Sequence, residues 1–240
     1  PGYAEVRTYD ALGRLEHRHI TTDTTYTYDY DYDEAGLLKH LTYPTSTSSY
    51  RLKLEHTYEH GNLRQVKDAN AGTVFWRADT RNALGQITTE TRGDVISTRR
   101  TIHAGTGWLG GIESGIGSNG RELQNLGYSY DAIGNVGQRQ NNNDGLTETF
   151  EYDQLYRLKK STLQSPGGVS TNLEMDYDAM GNILWRSDVA ARAPWTYDPV
   201  HKHRVIQAGD SAHAYHYDAN GNVDVRFGHA LTWTHDDYPA

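Results

Sequence analysis

Asn172-Leu-Glu-Met-Asp-Tyr-Asp-Ala-Met-Gly-Asn-Ile183 carries two signals that together decide the architecture. Up to Asp178 the apolar Leu173, Met175 and Tyr177 alternate with Asn172, Glu174, Asp176 and Asp178. Strict alternation puts one set of side chains on each face of a strand. From Tyr177 the chain then turns. Asp178 can accept hydrogen bonds from main-chain N–H groups two residues on, and Gly181 supplies the positive φ of a three- to five-residue hairpin loop. Leu126, Tyr128 and Tyr130 alternate in the same way, as do Tyr26, Tyr28, Tyr30 and Tyr32. No stretch has a convincing helical period, so the chain reads as all-β.

The turn phrase recurs. Copies run Tyr9-Asp-Ala-Leu-Gly-Arg-Leu15, Tyr32-Asp-Glu-Ala-Gly-Leu-Leu38, Tyr130-Asp-Ala-Ile-Gly-Asn-Val136, Tyr177-Asp-Ala-Met-Gly-Asn-Ile183 and Tyr217-Asp-Ala-Asn-Gly-Asn-Val223. Looser ones start at Tyr58, Arg81, Tyr152 and Tyr197. Steps of mostly twenty to twenty-six residues mark a repeat architecture. Three roles repeat with the phrase. Tyr9, Tyr32, Tyr130, Tyr152, Tyr177 and Tyr217 are rungs of a ladder stacked across strands; Asp10, Asp33, Asp131, Asp153, Asp178 and Asp218 cap turns; Gly13, Gly36, Gly134, Gly181 and Gly221 are hinges. A second, variable turn alternates with the first, as in Asn141-Asn-Asn-Asp-Gly145, Ser165-Pro-Gly-Gly168, Ala208-Gly-Asp-Ser211 and the stretch 187–194. The result is an antiparallel hairpin meander in one continuous array. Repeats occupy 1–102 and 125–240, with a Gly-rich atypical hairpin or connector at 103–124. Its Trp108, Leu109, Ile112 and Ile116 are too apolar for a bare linker. No atypical capping repeat is evident at either end, so the stretch reads as a piece of a longer protein.

Composition narrows the function. Eighteen Tyr against three Phe, with a mean hydropathy of −0.79, favour thin β layers over a thick aliphatic core. Net charge is −8 and no basic stripe exists, which argues against a nucleic-acid partner. Cysteine is absent, which excludes disulfides and thiolate chemistry. No apolar run suits a membrane span and no signal peptide is visible.

Sharper chemistry has plainer competitors. Asp29-Tyr-Asp-Tyr-Asp33 begins like a calcium loop, but Glu34 and His40 stand where Gly and Glu belong, and strand alternation explains it. Three like charges on one face would be eased by cations on adjacent strands. His201, His203, His213, His216, His229 and His235 thicken late, and His201 and His203 would share a face of any strand they occupied. Solvated histidines explain them as well. No Gly-x-Ser-x-Gly elbow accompanies the Ser, His and Asp residues. Trp76, Trp108, Trp185, Trp195 and Trp233 suit carbohydrate stacking if exposed, and packing against the sheet if not.

The phrase resembles the YD repeat of bacterial Rhs proteins, of the B and C components of Tc insecticidal toxins, and of teneurins. Besides Tyr130–Val136, Thr149-Phe-Glu-Tyr-Asp153 and Leu231-Thr-Trp-Thr234 carry the likeness, which covers nearly the whole chain. It implies a curved, spiralling sheet, an arc of an Rhs-type shell upstream of the Rhs-associated core. In that family the shell encloses a C-terminal toxin domain. It also implies a secreted or cell-surface bacterial parent, whose own core and toxin domain are the partners. The family's self-cleavage motif Asp-Pro-x-Gly-Leu is missing; Asp198-Pro-Val-His-Lys202 lacks its Gly and Leu. The expectation is therefore a non-enzymatic scaffold without cofactor or metal, with self-association through cut edges. A carbohydrate-binding surface module is the alternative.

Overall fold

The computed structural model describes residues 2–189, 192–234 and 237–240. It divides into two compact units, Pro1–Gly127 and Tyr128–Ala240. The first holds β1 (Ala4–Tyr9), β2 (Leu15–Thr21), β3 (Thr25–Tyr32), β4 (Leu38–Thr42), β5 (Lys53–Glu59), β6 (Asn62–Asp68), β7 (Val74–Arg81), β8 (Ile87–Arg92), β9 (Ile96–Ile102), β10 (Leu109–Ile116) and the start of β11 (Gln124–Tyr130). The second holds β12 (Val136–Asn141), β13 (Leu146–Tyr152), β14 (Leu158–Gln164), β15 (Ser170–Tyr177) and β16 (Ile183–Arg186). Shorter strands follow: β17 (Thr196–Tyr197), β18 (Val205–Gln207), β19 (Tyr215–Tyr217), β20 (Val223–Arg226) and β21 (His229–Ala230). One turn of 3₁₀ helix, Ser211–His213, is the only helical element among the described residues.

Strand order follows chain order. In the first unit each strand from β1 to β11 pairs antiparallel with its sequence neighbours, and β1 has a partner on one side only. In the second, β12 to β16 do the same, followed by the β17–β18 pair and the β19–β20–β21 sheet. This is the all-β meander that alternating strands and short turns imply. The Gly-rich stretch contributes β10, paired with β9 and β11. Its outgoing loop presses the main chains at Gly115 and Gly120 together so closely that a Cβ on either would overlap backbone.

A one-layer sheet has little interior. The buried hydrophobic residues are Ala78, Met175 and Ala208, and no large side chain is completely enclosed among the described residues. Buried polar residues outnumber them. A cross-strand row runs Ala78↔Glu90↔Thr98↔Ser114↔Gln124 over β7 to β11. Thr98 and Ser114 hydroxyls meet at 2.9 Å, and Glu90 accepts from Trp76 Nε1 at 3.0 Å and Arg100 Nη2 at 2.9 Å.

The acidic face of β3 shows how strand pairing settles its charge. His17 Nδ1 lies 2.9 Å and Arg51 Nη2 2.8 Å from Asp29, from β2 and from the chain leading into β5. His40 Nδ1 and Lys53 Nζ lie 3.3 and 3.6 Å from Asp31, from β4 and β5. Asp33 leaves the strand to cap the next turn. Cations on flanking elements therefore meet the like charges.

Candidate functional site

The turn phrase builds one hydrogen-bonded form repeatedly. The aspartate N–H donates to the carbonyl four residues on, and the fifth residue's N–H donates back to the aspartate carbonyl, as in Asp178 N to Asn182 O at 2.9 Å and Gly181 N to Asp178 O at 3.2 Å. The carboxylate closes the loop. Asp10 Oδ1 accepts from Leu12 N and Arg14 N, both at 2.9 Å, and Asp131, Asp153, Asp178 and Asp218 repeat the pair. Asp33 accepts from Leu37 N at 2.8 Å, and Asn82 stands in for aspartate in the Arg81 copy. Backbone φ lies between 76° and 98° at Gly13, Gly36, Gly134, Gly181 and Gly221. Tyr156 fills the same place in its own turn at 61°.

At each of these turns the register shifts by one residue, so that the first residue pairs with the aliphatic closing the phrase: Tyr32↔Leu38, Tyr152↔Leu158, Tyr177↔Ile183. The carbonyl of that aliphatic is then capped from the next repeat. Tyr32 Oη donates to Leu15 O, Tyr58 to Leu38 O, Tyr152 to Val136 O, Tyr177 to Leu158 O, Tyr197 to Ile183 O and Tyr217 to Val205 O, all at 2.8–2.9 Å. Where the phrase lacks tyrosine the latch survives. Arg81 Nη2 reaches Leu63 O and Trp233 Nε1 reaches Val223 O, both at 2.8 Å. Burial pushes the six phenols above their ordinary range.

The ladder expected from sequence was one of stacked rings. At these positions its rungs are instead hydroxyl-to-carbonyl bonds, and a guanidinium covers three of the rings. Arg14 lies 4.5 Å from the Tyr32 centroid, Arg157 4.6 Å from Tyr177 and Arg204 4.9 Å from Tyr217. These arginines belong to the preceding turn, where Arg14 and Arg157 also bond the cap at 2.8 and 2.7 Å. The same place reaches forward: Arg157 Nη1 donates to Asp178 O and Asn182 Nδ2 to Lys202 O, at 2.9 and 3.0 Å. Each turn thus grips the next twice. Tyr9 begins the series on β1 and is exposed.

One hydroxyl can be removed without disturbing the ring. Tyr177→Phe is expected to cost about 1 kcal/mol, the usual net worth of one hydrogen bond, because Arg157 still covers the ring. Urea titration checks it, and an unchanged midpoint would mean that the Leu158 carbonyl finds water equally well.

The caps are not free acids. For Asp10 and Asp153 the backbone N–H of Arg14 and Arg157 is the main cause of a carboxyl below the ordinary range. For Asp131, Asp178 and Asp218 burial works upward but is outweighed by bonds from Asn135, Asn182 and Asn222. Native caps therefore bind protons less readily than the unfolded chain. Their contribution is complete above the unfolded value of about 3.9 and is lost as pH falls through the lowered native values. The thermal midpoint should hold down to about pH 4 and fall below it. Carboxyl NMR titration of Asp178 checks the cause; an ordinary midpoint there would mean the turn bonds are absent in solution.

Other singled-out residues do not converge. His201 and His203 lie in the turn after Asp198 and occupy no strand, contrary to the shared strand face expected of them. His203 Nδ1 meets Asn182 Oδ1 at 2.7 Å. His213 and His216 pair with Asp210 and Asp224, both at 2.6 Å, and His235 lies outside the described residues. Ser187, Asp188 and Val189 open the variable turn over 187–194, of which 190 and 191 also lie outside them. All five tryptophans are half-buried. Trp76, Trp185 and Trp233 spend their N–H on Glu90, Asp176 and Val223 O. A recess of about 450 Å³ beside β6 and β7 is lined by Arg64, Asp79, Arg81 and Asn82. Its Asp79 is held by Arg77 and Thr91, both at 2.6 Å, and its Arg81 serves as a latch. No helix among the described residues is long and apolar enough to cross a membrane.

No protein-family model matches the chain, and no curated protein sequence matches it. Solved structures do share its fold. The crystal structure of TcdB2-TccC3 without hypervariable C-terminal region aligns with a TM-score of 0.70 at 18% identity, over 97% of this chain and 14% of that one. The crystal structure of TcdB2-TccC3 aligns with a TM-score of 0.68 at 20% identity, again over 97% and 14%. The meander of latched hairpins is therefore the fold of a stretch of these Tc toxin proteins, in keeping with the YD-repeat resemblance of the sequence.

Proposed function

We propose that this chain is a wall segment of an Rhs-type parent protein, which encloses a C-terminal toxin domain and carries the activity elsewhere. The observation that carries the reading is the series of latches from each repeat to the one before it, in a fold shared with TcdB2-TccC3 over 97% of the chain. A sheet with so few buried apolar side chains cannot be held by a thick core. Its stiffness comes from nearest-neighbour contacts, as in repeat proteins generally. The caps and latches are occupied in holding the sheet, so the segment is non-enzymatic, and a bacterial parent carries it outside the cell. Half-buried tryptophans with occupied N–H groups give carbohydrate stacking no support.

The test uses the parent chain with its C-terminal domain. Limited proteolysis should leave that domain protected and inactive in the intact protein. Tyr152→Phe, Tyr177→Phe and Tyr197→Phe together should speed its cleavage. A C-terminal domain that is folded, active and equally cleaved with and without the repeats would overturn the reading. A downstream Asp-Pro-x-Gly-Leu core in the parent would support it.

A further inference from the structure

Within Tyr128–Ala240 the turns leave an aliphatic row in solvent. The residue two past the cap is Ile133, Leu155, Met180 and Val200 in four successive turns, and these side chains are 56 to 77% exposed. Each N–H donates to its aspartate Oδ1, at 3.0, 2.8, 2.8 and 2.7 Å, so all four occupy one place in the same cap geometry. Turn chemistry does not ask for aliphatics there; it favours Gly, Pro, Asn, Asp and Ser. Asn220 takes that place in the next turn with the same bond at 2.9 Å. The flanking apex residues Ala132, Gln154, Ala179 and Pro199 carry no charge. The opposite, variable turns are polar: Asn141-Asn-Asn-Asp-Gly145, Ser165-Pro-Gly-Gly168 and Gly209-Asp-Ser211, with Val169 the exposed exception.

We infer that this row is a seam that packs against a second row of the same turns. Turns of this kind recur every second strand, about 10 Å apart. Only a partner with the same repeat meets aliphatic with aliphatic along its whole length, and neither uncharged row repels the other. Area argues for the same occupant. Four such side chains expose on the order of 400 Å², enough to mark a contact site. A standard stable interface covers about 800 Å² per partner. Two free molecules would therefore associate weakly, whereas rows tethered in one parent meet at an effective concentration in the millimolar range. For this chain in solution the occupant is a second copy. The seam rests on the wall reading for the second row in the parent, but not on what the wall encloses.

Sedimentation velocity on the full 240-residue chain, from micromolar to millimolar concentration, reads the seam alone. Weak dimerisation is expected for the unaltered chain. Ile133→Asn, Leu155→Asn, Met180→Asn and Val200→Asn combined should weaken it about tenfold or more, with melting temperature preserved because Asn220 already fits the place. Leu155→Asn alone carries the test if the combined variant melts early, with a smaller weakening. Val169→Asn on the opposite edge should change nothing. A chain that stays monomeric throughout, variants that dimerise as before through the β1 edge, or a monomer that binds phosphatidylcholine vesicles instead would each overturn the seam. None of these outcomes bears on protection of a C-terminal domain, which the proteolysis above reads separately.

Discussion

Gly181→Val is expected to lower stability by about 2 kcal/mol, within the 1–3 kcal/mol cost of a non-glycine residue held in a sparsely populated backbone region. Space is not the reason, since a Cβ at Gly181 would meet no atom within 4 Å. The cost is conformational. Gly181 has φ of +91°, beyond the narrow left-handed well near +60° that L-residues reach, and a β-branched side chain is least suited to go there. Either the turn opens and loses the bonds of Asp178 to Met180 N and Asn182 N, or the strain stays. At roughly 2–4 °C per kcal/mol for a domain of this size, the melting temperature should fall by about 4–8 °C.

Tyr156 supplies an internal control. It sits at the same place in the turn capped by Asp153, yet at φ of +61°, where a non-glycine residue is tolerated. Asn tolerates that region better than most residues. Gly181→Asn should therefore cost about half as much as Gly181→Val, by letting the turn relax toward the Tyr156 geometry. An unchanged melting temperature for the valine variant would sink the account of glycine as the hinge.

How much of this was legible in the sequence depends on the range of each interaction. The strands, turns and meander order were readable because alternation and turn chemistry act over a few residues, as in Leu173 to Gly181. The aspartate cap was readable for the same reason, since its acceptor and donors lie within four residues. The latch was not. It joins Tyr177 to Leu158 and Arg81 to Leu63, nearly a full repeat apart, and depends on a carbonyl exposed by the register shift. One clue was available: Arg81 and Trp233 stand where tyrosine is expected, and what the three side chains share is a donor at the end of a long arm. The turn of His201 and His203 was misplaced because two residues of matching parity suggest a strand face only where a strand exists. Buried Glu90 went unnoticed because nothing local distinguishes it from the exposed acids of other strands.

Glu90→Ala should be the most damaging single change outside the turns, at about 3 kcal/mol, the lower end for breaking a buried ion pair from one side. Glu90 lies in the middle of the buried polar row on β8, and it compensates groups from three strands. Trp76 Nε1 on β7, Arg92 on its own strand and Arg100 on β9 all reach its carboxylate, the two guanidinium groups at 2.8 and 2.9 Å. Arg100 also has a buried Nη1 with no partner, so removing the carboxylate leaves that cation without its counter-charge. Arg92 is exposed enough to turn to water, which sets the estimate at the lower end. Burial works to raise the Glu90 carboxyl, but Arg100, Trp76 and Arg92 together hold it below the ordinary range. Its stabilising effect is therefore complete above the unfolded glutamate value of about 4.3 and is lost as pH falls through the lower native value. Urea midpoints should differ most between parent and variant at pH 7 and converge in acid. Glu90→Gln should fall between the two at pH 7, because the amide keeps an acceptor for Trp76 while losing the charge that Arg100 needs. Equal midpoints at pH 7 for all three would mean that water already compensates Arg100, and that the polar row contributes nothing as a unit.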